Sequence, residues 1–295
     1  MSFDAAPQLL LNGLLAGSMY ALVAVSFAVI FFTSGAFHFA HALAFVFGAY
    51  TIVVLDAHVP LVVATVAGML VAGAFGVAAE AGVYRPLRRR GAATLQIFLA
   101  ALGLLAAGEA ILHIAFGPGA QRLEGVPGGA LELGSTGLAR IDVIGAVVAW
   151  LAIGAVLAFL SRSRLGTAIR GVSSNRELAE IFGTNAQRVY LVVYFLGSAL
   201  AGLAGGLIAM GDVATPFMGL ELVLAAAIGV FVGGLGSYWG AVIGGIALGL
   251  AENVGGMFLP GYLEPITAFA LLFIMLLVRP SGFLGRRVTL SGRGG

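Results

Sequence analysis

The chain has 295 residues, 60% of them hydrophobic and 9% charged, with a formal net charge of +2 and no cysteine. Soluble domains carry about 25% charged residues, so a soluble fold is excluded, as are disulfides, thiolate chemistry and cysteine-ligated metals. All the basic groups are arginines, confined to segments between apolar runs, which argues against nucleic-acid binding and for membrane lipid as the surrounding medium.

The apolar runs recur from end to end and predict an all-α, polytopic helical membrane protein with about eight or nine transmembrane segments, at least one broken or re-entrant. Residues 1–295 form a single transmembrane domain on this reading, because no stretch is left for a separate soluble core. The N-terminus lacks a positive n-region and its apolar run continues past Phe31, which predicts a retained helix rather than a cleaved signal. That first span covers about Leu9 to Phe32, with Gly13 and Gly17 on one packing face. After Thr33-Ser34-Gly35 comes a second segment, Ala36 to Leu55, with His38 and His41 on one helical face. The third runs from Val59 to about Val83 and ends in Tyr84-Arg85-Pro86 and the cluster Arg88, Arg89, Arg90. The fourth, Thr94 to Phe116, holds Glu109 and His113 four apart. Gly117 to Arg140 is Gly/Pro-rich and predicts an extramembrane loop; Asp142 to Leu160 is the fifth span.

The longest polar interval follows, about residues 161–188, with Arg162, Arg164, Arg170, Arg176 and Arg188. Leu165, Ala168, Ile169 and Val172 recur in it at helical spacing. Ser174 suits an N-cap, with Glu177 completing a capping box, and Gly183 suits the C′ position of a short helix, Asn175–Phe182. Such a knob between two membrane-length segments is either a contact for a soluble partner or a basic loop that only sets topology. The sixth span, Val189 to Met210, carries Gly197, Ala201 and Gly205 on one stripe. Leu222 to Gly255 is too long for one crossing, and Gly233–Gly240 divides it into two short spans or a partly re-entrant pair. The last span runs from about Tyr262 to Val278, before Arg279-Pro280 and a basic tail.

Thirteen of the fifteen arginines fall in three clusters, at Arg85–Arg90, in the central element and from Arg279 onward. The positive-inside bias puts all three in the cytoplasm, the N-terminus outside and the C-terminus inside. Ionisable residues within spans are functional candidates: His38, His41, Glu109, His113 and Glu252. Glu80 and Glu221 lie near interfaces and read as solvated carboxylates. Glu109 and His113 read as a mutually satisfying pair, with a proton relay as the other reading. Two histidines without nearby carboxylates make a poor metal site, so no metal is expected. There is no lysine for a Walker-type loop and no HExxH or GxSxG pattern. No catalytic residue and no bound cofactor are therefore expected, and any ATP that drives transport is used by another subunit.

Six stretches together resemble one family along nearly the whole chain: LLNGLLAGSMYALVAVSFAVIF from Leu10, GAFHFAHA from Gly35, YRPLR from Tyr84, SRLGTAIRGVSSNRELAEIFGTNAQRV from Ser163, GGLGSYWGAVIGG from Gly233 and RPSGFLG from Arg279. The chain is similar to LivH-type permease subunits of branched-chain amino-acid ABC importers. The resemblance implies a transport subunit of the bacterial inner membrane. It also implies a second, LivM-type permease, two ATP-binding subunits and a periplasmic substrate-binding protein as partners. Glu177, Ala179 and Gly183 fall on the Glu-x-Ala-x-x-x-Gly core of the family's coupling loop, so with Ser174 they are expected to dock an ATPase subunit. Thr33, Ser34, Phe39 and His41 are expected to line the translocation path, with Glu252 as a further candidate. His38 stands where the family usually has Asn, Ala42 where it has Gly, and Ala225 where it often has Lys; these departures bear on the substrate. A family member specific for urea or short amides, and an ion-coupled secondary transporter, are the alternative readings.

Overall fold

In a computed structural model, which describes residues 6–123, 125–126, 128–133, 136–260 and 264–285, apolar runs become helices and Gly- or Pro-bearing junctions become breaks. The first half comprises α1 (Ala6–Ser34), α2 (His41–Leu55), α3 (Leu61–Ala79), α4 (Arg85–Arg89) and α5 (Thr94–Phe116). A π-turn, Glu80–Tyr84, runs α3 straight into α4. A short antiparallel hairpin, β1 (Ala130–Leu133) and β2 (Thr136–Ala139), leads into α6 (Arg140–Arg162). Then come α7 (Arg164–Ser174), α8 (Arg176–Ile181), α9 (Ala186–Gly211), α10 (Met218–Gly233), α11 (Tyr238–Gly255) and α12 (Glu264–Val278).

Among the described residues, five helices are long and apolar enough to cross a membrane, or six if α10 and α11 count as one span. This is fewer than the eight or nine expected. A crossing needs about 20 apolar residues; α2 has 15 and the apolar part of α12, Ile266–Val278, is also short. The α10–α11 pair bends by 115° at its break. Tyr262, where the last span was expected to start, and Arg286, Arg287 and Arg293 of the tail lie outside the described residues.

Two helices lie at the centre. The most apolar windows of α1 and α9 are 67% and 72% buried, against 28–33% for the spans built on α3, α5 and α6. Outer helices turn side chains such as Ile111, Ile114 and Leu151 outward, as lipid-facing helices do. Small residues bring the inner helices together. Gly17 of α1 lies on the backbone of Ile246 in α11, and Gly48, Gly68 and Gly202 meet where α2, α3 and α9 cross.

The break between α10 and α11 requires glycine, since Gly234 and Gly236 have φ of +111° and +83°. The C-terminal segment closes it: the Phe283 and Leu284 amides donate to the Val232 and Gly233 carbonyls at 3.0 and 2.8 Å. These are carbonyls a helix end leaves without partners. At the other end of the bundle, Gln8 of α1 holds Gly137 of the hairpin through both its amide atoms, at 2.8 and 3.1 Å.

Candidate functional site

The polar element from Ser163 to Asn185 is a helical corner. The Ser163 hydroxyl caps α7 by accepting from the Gly166 amide at 2.8 Å. Ile169 and Val172 are buried as their spacing predicts, while Leu165 faces outward. The Ser173 hydroxyl then donates to the Phe32 carbonyl at 2.6 Å, fixing the corner to the end of α1. Asn175, not Ser174, caps α8, its Oδ1 accepting from the Leu178 amide at 2.9 Å. Ser174 is the last residue of α7. Glu177 is therefore the second rather than the third residue of α8, and the expected capping box does not form. The other end is as expected: Gly183 has φ of +83°, and the Thr184 amide reaches back to the Ala179 carbonyl at 2.9 Å.

Ala179 is buried in this corner, with Ser174, Glu177 and Gly183 exposed around it. The apolar side chains of the knob are not among the residues expected to dock. Leu178, Ile181 and Phe182 are 51%, 78% and 80% exposed, three large hydrophobics on a short helix and its C-cap in the most polar part of the chain. Their i, i+3, i+4 spacing is the signal that could have revealed them.

Two of the arginine clusters meet at this same end. Arg88 and Arg176 both lie on the Tyr190 ring, 4.8 and 5.6 Å from its centroid. Phe32, which holds Ser173, packs on Tyr238 beside the α10–α11 break that the tail closes.

The residues expected along a path gather at the α1–α2 junction, with Glu252 apart in α11. Gly35, at φ of +66°, turns the chain between them. Thr33 and Ser34 bond back to the Val29 and Ile30 carbonyls at 3.0 and 2.9 Å. Phe39 lies against Phe37 and Phe98. His41 is fully buried, its Nε2 3.1 Å from the Ser26 hydroxyl. His38 is buried too, its Nδ1 2.8 Å from the Tyr84 hydroxyl. Glu252 is 8% exposed.

None of the five path candidates lines a cavity of about 570 Å³ that opens near the start of α1 beside Asn12, Met19, Asp142, Leu207, Asp212 and Asn253.

Two expectations for buried charge fail. No hydrogen bond or ion pair joins Glu109 to His113; the His113 ring packs toward Phe217, 5.7 Å between centroids. Glu80 is not solvated but fully buried, paired with Arg88 and accepting from Gln187 Nε2 at 2.9 Å. Arg88 folds back along the helix to reach it, which sequence periodicity does not show. Among the described residues, no group of three His, Asp or Glu could hold a metal ion.

The sequence matches the family described as branched-chain amino acid transport system / permease component over residues 9–278. It is 30% identical over 295 residues to the high-affinity branched-chain amino acid transport system permease protein LivH of Escherichia coli, covering 95% of each chain. It is also 30% identical over 296 residues to the corresponding permease protein BraD of Pseudomonas aeruginosa, again covering 95% of each. Among solved structures, PsaBC from Streptococcus pneumoniae in complex with Fab aligns with a TM-score of 0.51 at 14% identity, over 94% of this chain and 95% of that one, a likeness of fold alone. A match over residues 9–278, joined to 30% identity with these permeases over nearly the full length, means that the chain belongs to the branched-chain amino acid transport system permease family.

Proposed function

We propose that this chain is the membrane permease subunit of an ATP-driven ABC importer of the bacterial inner membrane, and that α8 is the point at which it receives an ATP-binding subunit. Permeases of this family assemble with other transporter subunits. Here those are a second, LivM-type permease, two ATP-binding subunits that use the ATP, and a periplasmic substrate-binding protein. The substrate class is that of the relatives' names, branched-chain amino acids.

One observation carries the reading: Leu178, Ile181 and Phe182 are exposed on a helix capped at both ends. An amphipathic helix laid into an apolar groove is a recurrent mode of recognition. The cap of Asn175 and the positive φ of Gly183 hold the three side chains in place, so little ordering remains to oppose binding. Closure of the ATP-binding pair then pulls on α8, and the bundle switches between outward- and inward-facing states while the solute passes without covalent change.

The test is co-expression with the ATP-binding subunits, followed by affinity purification and uptake into proteoliposomes. The expected result is a stable complex with ATP-dependent uptake in the wild type. Ile181→Asp and Phe182→Asp should leave the chain folded in detergent but free of the ATP-binding subunits. Retention of those subunits by both variants, with full uptake, overturns the docking role.

A further inference from the structure

Glu80 is the most deeply placed carboxylate of the described chain, and nothing in the docking or the passage of solute uses it. Its backbone and its side chain are both committed. The Arg85 amide bonds to its carbonyl, the five-residue step that makes the π-turn. Its Oε1 takes both Arg88 and Gln187, while Oε2 has no protein hydrogen-bond partner. A buried carboxylate satisfied on one oxygen only is expensive to maintain.

The groups on either side of the π-turn lead in two directions. Toward the knob, Arg88 shares the Tyr190 ring with Arg176 of α8, and Arg176 pairs with Glu180 at 3.2 Å. Gln187 lies at the start of α9, directly after the knob. Toward the membrane interior, Tyr84 closes the π-turn, is 1% exposed and bonds His38 at 2.8 Å. The His38 ring stands 5.7 Å from that of His41, which reaches Ser26 of α1.

We propose that Glu80 and Tyr84 are positioning residues that link movement of α8 to the α1–α2 junction, with the π-turn as the element that switches. The proposal rests on α8 being the docking helix. A π-turn holds one residue more than an α-helical turn. Relaxing it to α geometry shifts the following residues by one place, about 100° around the axis. That rotation takes Tyr84 away from His38. Loss of the Arg88 and Gln187 contacts releases Glu80 and permits it. Pull on α8, passed through Arg176, Tyr190 and Arg88, is thus converted into a choice between two discrete arrangements, which is what coupling between distant sites requires.

The experiment uses the complete importer in proteoliposomes and reads solute taken up per ATP hydrolysed. Glu80→Gln removes the charge and keeps an oxygen for Gln187; Tyr84→Phe removes only the hydroxyl. Both should keep the ATP-binding subunits and their hydrolysis, with uptake per ATP lowered by about tenfold or more. A purely structural role would lower assembly and hydrolysis together and leave the ratio unchanged; that outcome overturns the proposal. Hydrogen exchange at residues 80–84 of the unmodified complex is the second measurement and needs no variant. Addition of ATP should change the protection of these amides, and identical exchange in both states also overturns the link. A wild-type complex without ATP-driven uptake defeats the docking reading itself. A coupled wild type with fully coupled variants defeats only this link.

Discussion

Gly48 and Gly202 illustrate what a single position decides in this bundle. A Cβ on Gly48 would overlap the Gly202 backbone, and one on Gly202 would strike Ala72 and approach the Gly68 carbonyl. Without water to expel, close approach of backbones is the main source of attraction between such helices. Gly48→Ala should therefore destabilise by about 1–3 kcal/mol, the usual cost of overpacking. Gly103 of α5 has open space around it; Gly103→Ala should be neutral or stabilise by up to about 1 kcal/mol. Thermal unfolding in detergent separates the two, and equal melting temperatures would contradict the crossing. The abundance of glycine was legible in the sequence, as was the Gly13–Gly17 face, which meets Leu250 and Ile246 of α11. The partners were not, because Gly48 and Gly202 are brought together only by the tertiary fold. The same holds for Glu80: its neighbours read as an interface, and only the return of Arg88 and the approach of Gln187 make burial tolerable.

At the scale of elements, the helices of the knob were legible but its exposed apolar side chains were not, and the misplaced cap has a local cause. Ser174 and Asn175 are both good caps. The Ser173 bond to the Phe32 carbonyl fastens α7 against α1, and α7 continues through Ser174, so the cap passes to Asn175. Asn175→Ala should then cost about 1 kcal/mol, felt in α8 alone. Exchange of the Leu178 amide should accelerate about fivefold or more while the amides of α9 stay protected; an unchanged Leu178 amide would show that the cap is idle. Gly183→Asp places a side chain at a φ of +83° and adds charge beside Phe182. It should leave the membrane bundle folded and abolish ATP-coupled uptake, and normal uptake by this variant would argue against docking at α8. The Gly233–Gly240 break was equally clear from its glycines. Its closure by Phe283 and Leu284 was not, since those amides come from the far end of the chain.

For the whole molecule, apolarity identified the spans but not how the breaks divide them. Hydropathy sums side chains; it does not register that α10 and α11 meet at 115° or that α2 ends after 15 residues. Orientation is less sensitive to this than the count is. The hairpin and the knob are joined by α6 alone, whose 23 residues span about 35 Å at 1.5 Å per residue, enough for a hydrocarbon core of about 30 Å. The two must lie on opposite sides of the membrane however the short helices are assigned. By the positive-inside bias, the arginines at the knob end predict a cytoplasmic knob and an outer hairpin, the orientation we propose. Because the natural chain has no cysteine, single reporters can be introduced without background. Glu132→Cys in β1 and Phe182→Cys beyond α8 are both at exposed positions. A membrane-impermeant maleimide should label the first from the periplasmic side of intact spheroplasts, and the second only in inverted vesicles. Docked ATP-binding subunits should protect the second and not the first. The reverse labelling pattern would turn the chain over in the membrane and remove α8 from the reach of any cytoplasmic ATPase.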